Sequence, residues 1–117
     1  MKEEKRDVGL YLEDILESIK QIQEYTDGIE EDDFNTNQLI QDGVLRRFAI
    51  IGEAVKHVTE SYREKHPEIE WKKIAGMRDV LIHEYFQFNL KRVWKTIQED
   101  IPKFKEQVKS LPEMSDI

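Results

Sequence analysis

The sequence predicts an all-α fold, an antiparallel four-helix bundle with an additional short helix, and three observations predict it. Apolar residues recur at three- and four-residue steps in four segments. Glycines, prolines and capping residues punctuate the chain between those segments. No stretch shows the sustained apolar–polar alternation of a half-buried strand.

The first helix is expected over Glu4 to Tyr25, where Val8, Tyr11, Leu12, Ile15, Ile19 and Ile22 make one apolar stripe. Thr26-Asp27-Gly28 supplies the stop, because glycine takes the left-handed cap conformation without a Cβ clash. The acidic run Glu30 to Asp33 reads as a connector. A second helix is expected from Asn35 to about Ser61, with Leu39, Val44, Phe48, Ile51, Val55 and Val58 on its stripe. Gly43 and Gly52 inside it each cost about 1 kcal/mol against alanine, and Gly52 is read as a close helix contact. His66-Pro67 breaks the run, since a residue before proline avoids helical geometry. Glu70 to Ile74 forms the short helix that anchors Trp71 and Ile74, and a third long helix covers about Ala75 to Tyr85. Asn89 caps the fourth, whose stripe is Leu90, Val93, Trp94, Ile97, Ile101, Phe104 and Val108. Pro102 should kink or restart it near Asp100. Both tryptophans read as core, and His57 and His66 as surface residues. One domain, 1–117, accounts for the chain, with about 111–117 a frayed tail.

Composition bounds the chemistry. With 38% apolar and 37% charged residues in 117, the chain buries a modest core, part of which a partner subunit is expected to complete. The chain has no cysteine, which removes disulfides, thiolate zinc sites and thiol nucleophiles and fits a reducing cytoplasm. Met1 to Asp7 leads into no long apolar run, so no signal peptide is expected. Nothing approaches the roughly 20 apolar residues of a membrane span. The formal net charge of −7 opposes non-specific nucleic-acid binding, so any RNA contact must come from a local basic site.

The residues richest in chemistry lie in Arg78-Asp79-Val80-Leu81-Ile82-His83-Glu84-Tyr85. Arg78 and His83 stand five apart, about 140° of rotation on a regular helix, and flank a face. Asp79 and His83 lie one above the other, and Arg78 and Tyr85 share a side. A guanidinium suits phosphate, and an imidazole exchanges a proton near neutral pH. Together they are a minimal kit for phosphodiester cleavage without metal. The same residues also suit structural roles, with Asp79 in a salt bridge and Tyr85 a core aromatic whose hydroxyl reaches the rim. Glu53 is a candidate to orient Arg78 or His83. Arg46, Arg47 and Lys56 are candidates to hold RNA, or else a solvated basic face. The sequence offers no paired-histidine metal motif, calcium-loop spacing or glycine-rich phosphate loop, and no metal or cofactor is expected.

The run Met77 to Phe86 resembles the R-x4-H-x-Y signature of the HepT-like branch of HEPN proteins. Arg47 to Lys56 looks like that family's second-helix block, and Phe88 to Ile97 followed by Ile101-Pro102 its downstream block. The likeness covers nearly the whole chain in order; the bare R-x4-H pattern is weak, and the three blocks together are specific.

The resemblance implies a HEPN fold in a homodimer that brings two R-x4-H motifs into one cleft. It implies a ribonuclease toxin of a type VII-like toxin–antitoxin pair, acting on RNA, tRNA among the candidates. Its expected partner is an MNT-type nucleotidyltransferase that moves AMP from ATP onto the tyrosine and so silences the nuclease. By position, Arg78 and His83 would be catalytic, Asp79 would fill the polar place after the arginine, and Tyr85 would accept AMP. Asp79 puts a negative charge beside the phosphate site where a neutral amide would not. The rival reading is a non-catalytic HEPN module that binds a nucleotidyltransferase partner and nucleotide or RNA. A third is a helical dimerisation adaptor.

Overall fold

In the computed structural model, residues 7–114 are described, and helices account for about four-fifths of them, with no strand among them. The expected helical start over Glu4–Arg6, the run Met1–Arg6 and the last three tail residues lie outside that range.

Helix α1, Val8–Tyr25, starts where the Asp7 carboxylate accepts from Gly9 N at 2.8 Å. Leu12, Ile15, Ile19 and Ile22 are fully buried on its inner face, each contributing about 1.5–3 kcal/mol of transfer free energy. It stops as expected. The Thr26 hydroxyl donates to Ile22 O at 2.9 Å, and Gly28 takes φ +74°. The acidic run is not a plain connector. Helix α2 spans Glu31–Thr36, with Glu30 and Asp33 forming a reciprocal capping box and Glu31, Asp32 and Asp33 in its first turn. Carboxylates there meet the positive end of the helix dipole, so the charge that reads as a loop signal instead favours a helix start.

Helix α3, Gln38–Lys56, is capped by Asn37, whose side chain accepts from Ile40 N at 3.1 Å. Val44, Phe48, Ile51 and Val55 face the core, but Leu39 is 80% exposed. Nine residues separate Leu39 from Phe48, about half a turn out of phase on a regular helix. The single second helix expected to Ser61 is two. Thr59 caps a new helix, α4, Glu60–Lys65, by accepting from Tyr62 N. His66 is half-buried rather than a plain surface residue, its ring 4.7 Å from that of Tyr62.

Helix α5, Trp71–Ala75, buries Trp71, whose indole N–H donates to His66 O at 3.0 Å. Its C-terminal carbonyl packs on α3, where a Cβ on Gly52 would stand 3.0 Å from Ala75 O, so Gly52 marks the close contact expected. Helix α6, Met77–Val80, runs on into a π-helical turn, Leu81–Tyr85, closed by Phe86 N donating to Leu81 O at 2.8 Å. Helix α7, Leu90–Lys95, starts at the Asn89 cap and continues through a second π turn, Thr96–Asp100, into α8, Ile101–Lys109. The restart near Asp100 is thus met by a widened turn ahead of Pro102, whose ring would otherwise strike a carbonyl of the preceding turn.

α1 and α3 lie antiparallel. Tyr11 stacks on His57 at one end, and Tyr25 covers Gly43 at the other. α8 closes on α1, and Phe34 of α2 meets the half-buried Trp94 of α7. The tail expected to fray from Leu111 is held as far as Met114. Leu111 and Met114 are buried, Pro112–Met114 forms a 3-10 turn, and Tyr62 donates its hydroxyl to Glu113. No helix among the described residues is long and apolar enough to cross a membrane.

Candidate active site

Gly76 separates α5 from α6, and from Met77 the chain presents two faces. Leu81 is buried, and Met77 and Tyr85 are half-buried on the inner side, four residues apart in turn. Arg78, Asp79, His83 and Glu84 are exposed on the outer side, and Val80 is exposed at the edge between the two faces. The structure therefore exposes Arg78, Asp79 and His83 to solvent and keeps Tyr85 half-buried. On a regular helix Arg78 and Tyr85 would share a side. The π turn opens between them, advances through fewer degrees per residue, and leaves Tyr85 short of the full revolution. The same widening brings Arg78 and His83 nearer to one side than 140° implies. Single π turns recur at functional sites.

The Arg78 guanidinium donates from Nη1 to Asp79 Oδ1 at 3.1 Å, both side chains about half-exposed or more. Glu53, expected to orient Arg78 or His83, pairs instead with His57 on its own helix at 3.7 Å. Arg46 and Lys56 are exposed on α3. Arg47 is half-buried, and its Nε is enclosed without a hydrogen-bond partner. Arg46 and Arg47 stand about 120° and 140° around α3 from Gly52, the side that receives α5.

Tyr85 lines a cleft of about 460 Å³ between the α5–α6 segment and α7–α8. Arg92, one turn into α7, holds its guanidinium 5.7 Å from the Tyr85 ring centre, a cation–π contact. Asn89 links the two. Its N–H donates to Tyr85 O, and its side chain accepts from Arg92 N. Sequence reasoning missed Arg92 and the cleft. A signal was present in α7, where Lys91, Arg92 and Lys95 fall within residues 90–95 with no Asp or Glu among them, in a chain of net charge −7. Positive charge is thus concentrated on α7 beside Tyr85, whereas the exposed part of the motif carries Asp79 and Glu84 along with Arg78. An exposed imidazole and guanidinium can exchange a proton and balance charge at a phosphate.

The family model described as ribonuclease HepT-like matches residues 15–111. The chain is 47% identical over 112 residues to a Methanocaldococcus jannaschii protein named "gamma-glutamylcyclotransferase and putative RNase", covering 96% of this chain and 50% of that protein. It is 45% identical over 101 residues to a Thermococcus cleftensis protein named "probable ribonuclease HepT", covering 86% of this chain and 92% of that one. The chain thus spans half the length of the first relative and nearly all of the second. No solved structure matches it significantly.

Proposed function

The chain belongs to the HepT-like ribonuclease family, and from that membership we propose that it is an endoribonuclease that cuts RNA without a metal ion. The observation that supports this is that Arg78 and His83 are both exposed to solvent, His83 within a π turn that follows Arg78 by three residues. The His83 imidazole takes the proton of a ribose 2′-hydroxyl, and the freed oxygen attacks the adjacent phosphorus. The phosphorus–5′-oxygen bond breaks, and the leaving oxygen recovers a proton from an imidazolium. The products are a 2′,3′-cyclic phosphate and a 5′-hydroxyl. Arg78 balances the charge that builds on the phosphate.

The proposal extends to assembly and control. Two copies join through the face around Phe88, which leaves 81% of its surface exposed beside the motif. The pair of motifs then forms one groove. The chain acts in the cytoplasm as the toxin of a toxin–antitoxin pair, with RNA, tRNA among the candidates, as its target. Its antitoxin is an MNT-type nucleotidyltransferase. The Tyr85 phenolic oxygen attacks the α-phosphate of ATP, pyrophosphate leaves with the broken bond, and the phenolic proton passes to base. The added anion repels RNA.

The test incubates purified protein with RNA in chelator. Wild type should release cyclic-phosphate ends, and His83→Ala should slow this by a factor of about 100 or more. Equal products at equal rates from the two proteins refute the catalytic assignment. A second arm adds the nucleotidyltransferase and ATP; a Tyr85 peptide without AMP mass refutes the modification alone. The Arg78–Asp79 ion pair favours one other reading, the non-catalytic module that binds the nucleotidyltransferase and nucleotide or RNA. Under it, RNA is bound but left whole in the first arm.

A further inference from the structure

We infer that the cleft beside Tyr85 is a subsite for one nucleotide of the RNA strand, with the base between its apolar walls and a phosphate on Arg92. This rests on the ribonuclease reading and adds where the strand lies. The cleft holds about 460 Å³, within the roughly 300–1,000 Å³ of small-ligand sites and too small for a folded RNA element. Ile74, Met77, Leu81 and Phe104 give it apolar walls, which accept the flat face of any base without reading its edge.

Its charges are balanced along most of its length. Glu68, Glu70 and Asp100 offset Lys73, Arg92 and Lys103 among the lining side chains, and Lys73 already meets Glu70 at 3.7 Å. A polyanion would not be held along the whole cleft. Arg92 differs, because it sits over the Tyr85 ring with Lys91 and Lys95 exposed on the same helix. That end has a net positive charge, and a guanidinium lying over a ring keeps its N–H donors at its edge for a phosphate.

Of Arg78, Asp79, His83 and Tyr85, only Tyr85 lines the cleft. It is two residues from His83, on the other side of one π turn. A strand cut at His83 that crosses Tyr85 therefore meets the Arg92 end of the cleft with a neighbouring nucleotide. A single-stranded region is required, because a base must leave its stack to enter. An adenylyl group on Tyr85 has the same base-plus-phosphate chemistry and would compete for this space.

The test uses full-length protein carrying His83→Ala, so that RNA stays intact, and a labelled single-stranded RNA followed by fluorescence anisotropy. Arg92→Ala should weaken binding about tenfold, and Arg92→Lys by less, since stacking and phosphate contacts carry a factor of this order. The Asn89 cap uses only the Arg92 backbone N–H, so the helix start survives either change; circular dichroism checks this. Lys103→Glu, at an exposed lining position, should also weaken binding. AMP should compete with the RNA on the Arg92-intact protein better than ribose 5-phosphate does, and lose that advantage in Arg92→Ala. RNA affinity unchanged in both Arg92→Ala and Lys103→Glu overturns the subsite. Such a result leaves the ribonuclease reading standing if wild type still cuts and His83→Ala does not. AMP binding that depends on Arg92 while RNA binding ignores it also overturns the proposal, because the cleft would then serve a nucleotide from another source.

Discussion

At Arg78 the guanidinium already has a partner, the Asp79 carboxylate at 3.1 Å. Pairs this exposed are worth about 0–1 kcal/mol, so an RNA phosphate can displace the carboxylate at small cost. Asp79→Asn removes the competitor and its repulsion of phosphate. It should raise kcat/KM at low RNA concentration by up to about fivefold, the equivalent of that range. A fall would mean that the carboxylate holds Arg78 in its working position. Outside the motif, Tyr62 ties α4 to the Pro112–Met114 turn. Burial, and then its hydrogen bond to Glu113 and the charges of Glu113 and Glu68, raise its phenol well above the ordinary value of 10.0. The folded state thus favours the neutral phenol. Its contribution is whole below pH about 10 and is lost as pH climbs through the higher folded value. Wild type should therefore lose thermal stability above pH 10 more steeply than Tyr62→Phe, and the variant should be about 1 kcal/mol less stable at pH 7. Parallel pH curves for the two proteins would contradict this.

Among the elements, two glycines of α3 test how tightly helices meet. A Cβ at Gly52 would come 3.0 Å from a backbone oxygen, Ala75 O, whereas at Gly43 the 3.0 Å neighbour is the ring edge of Tyr25, a side chain that can swing. Both changes to alanine gain about 1 kcal/mol in helix propensity. Gly52→Ala must also push α5 away and should destabilise by about 1–2 kcal/mol net, while Gly43→Ala should be close to neutral. Denaturant melts decide, and equal effects would show that the α3–α5 contact yields. The Gly52 contact was legible, because a glycine kept inside a helical stripe has a packing reason. So were the α1 stripe, the Asn89 cap and the restart before Pro102, since each has a local signature. Helix α2 was not, because its acids suit a loop and a helix N-terminus alike. Nor was the break at Thr59, since threonine is a cap only where the chain bends. Leu39 was misplaced because an apolar residue near a stripe need not be in phase with it. The π turn was invisible, as no residue type in Leu81–Tyr85 marks the extra residue of a widened turn. Arg78 and His83 could be named from the sequence, but the separation of Tyr85 from Arg78 could not.

For the whole molecule the deciding question is what covers the outer face of α6. Phe88, ten positions from Arg78, is an exposed apolar residue outside the Tyr85 cleft, and a twofold contact there would bring together two guanidinium–imidazole pairs. Removing the contact should then remove activity without touching a catalytic group. Phe88→Asp, at a position outside the Tyr85 cleft, should shift the protein from dimer to monomer in analytical ultracentrifugation, because it buries a charge against its own copy. RNA cleavage should fall with the dimer fraction. A sharper consequence concerns mixed subunits. Arg78→Ala and His83→Ala proteins should each be inactive alone. Joined by unfolding and refolding together, about half of the dimers are mixed by simple statistics. Each mixed dimer keeps one intact Arg78 on one subunit and one intact His83 on the other. If the phosphate lies across the subunit boundary, these two groups meet on it and a fraction of the activity returns. If each motif works only within its own chain, the mixture stays as inactive as its parts while wild type treated the same way recovers, and the shared groove is refuted.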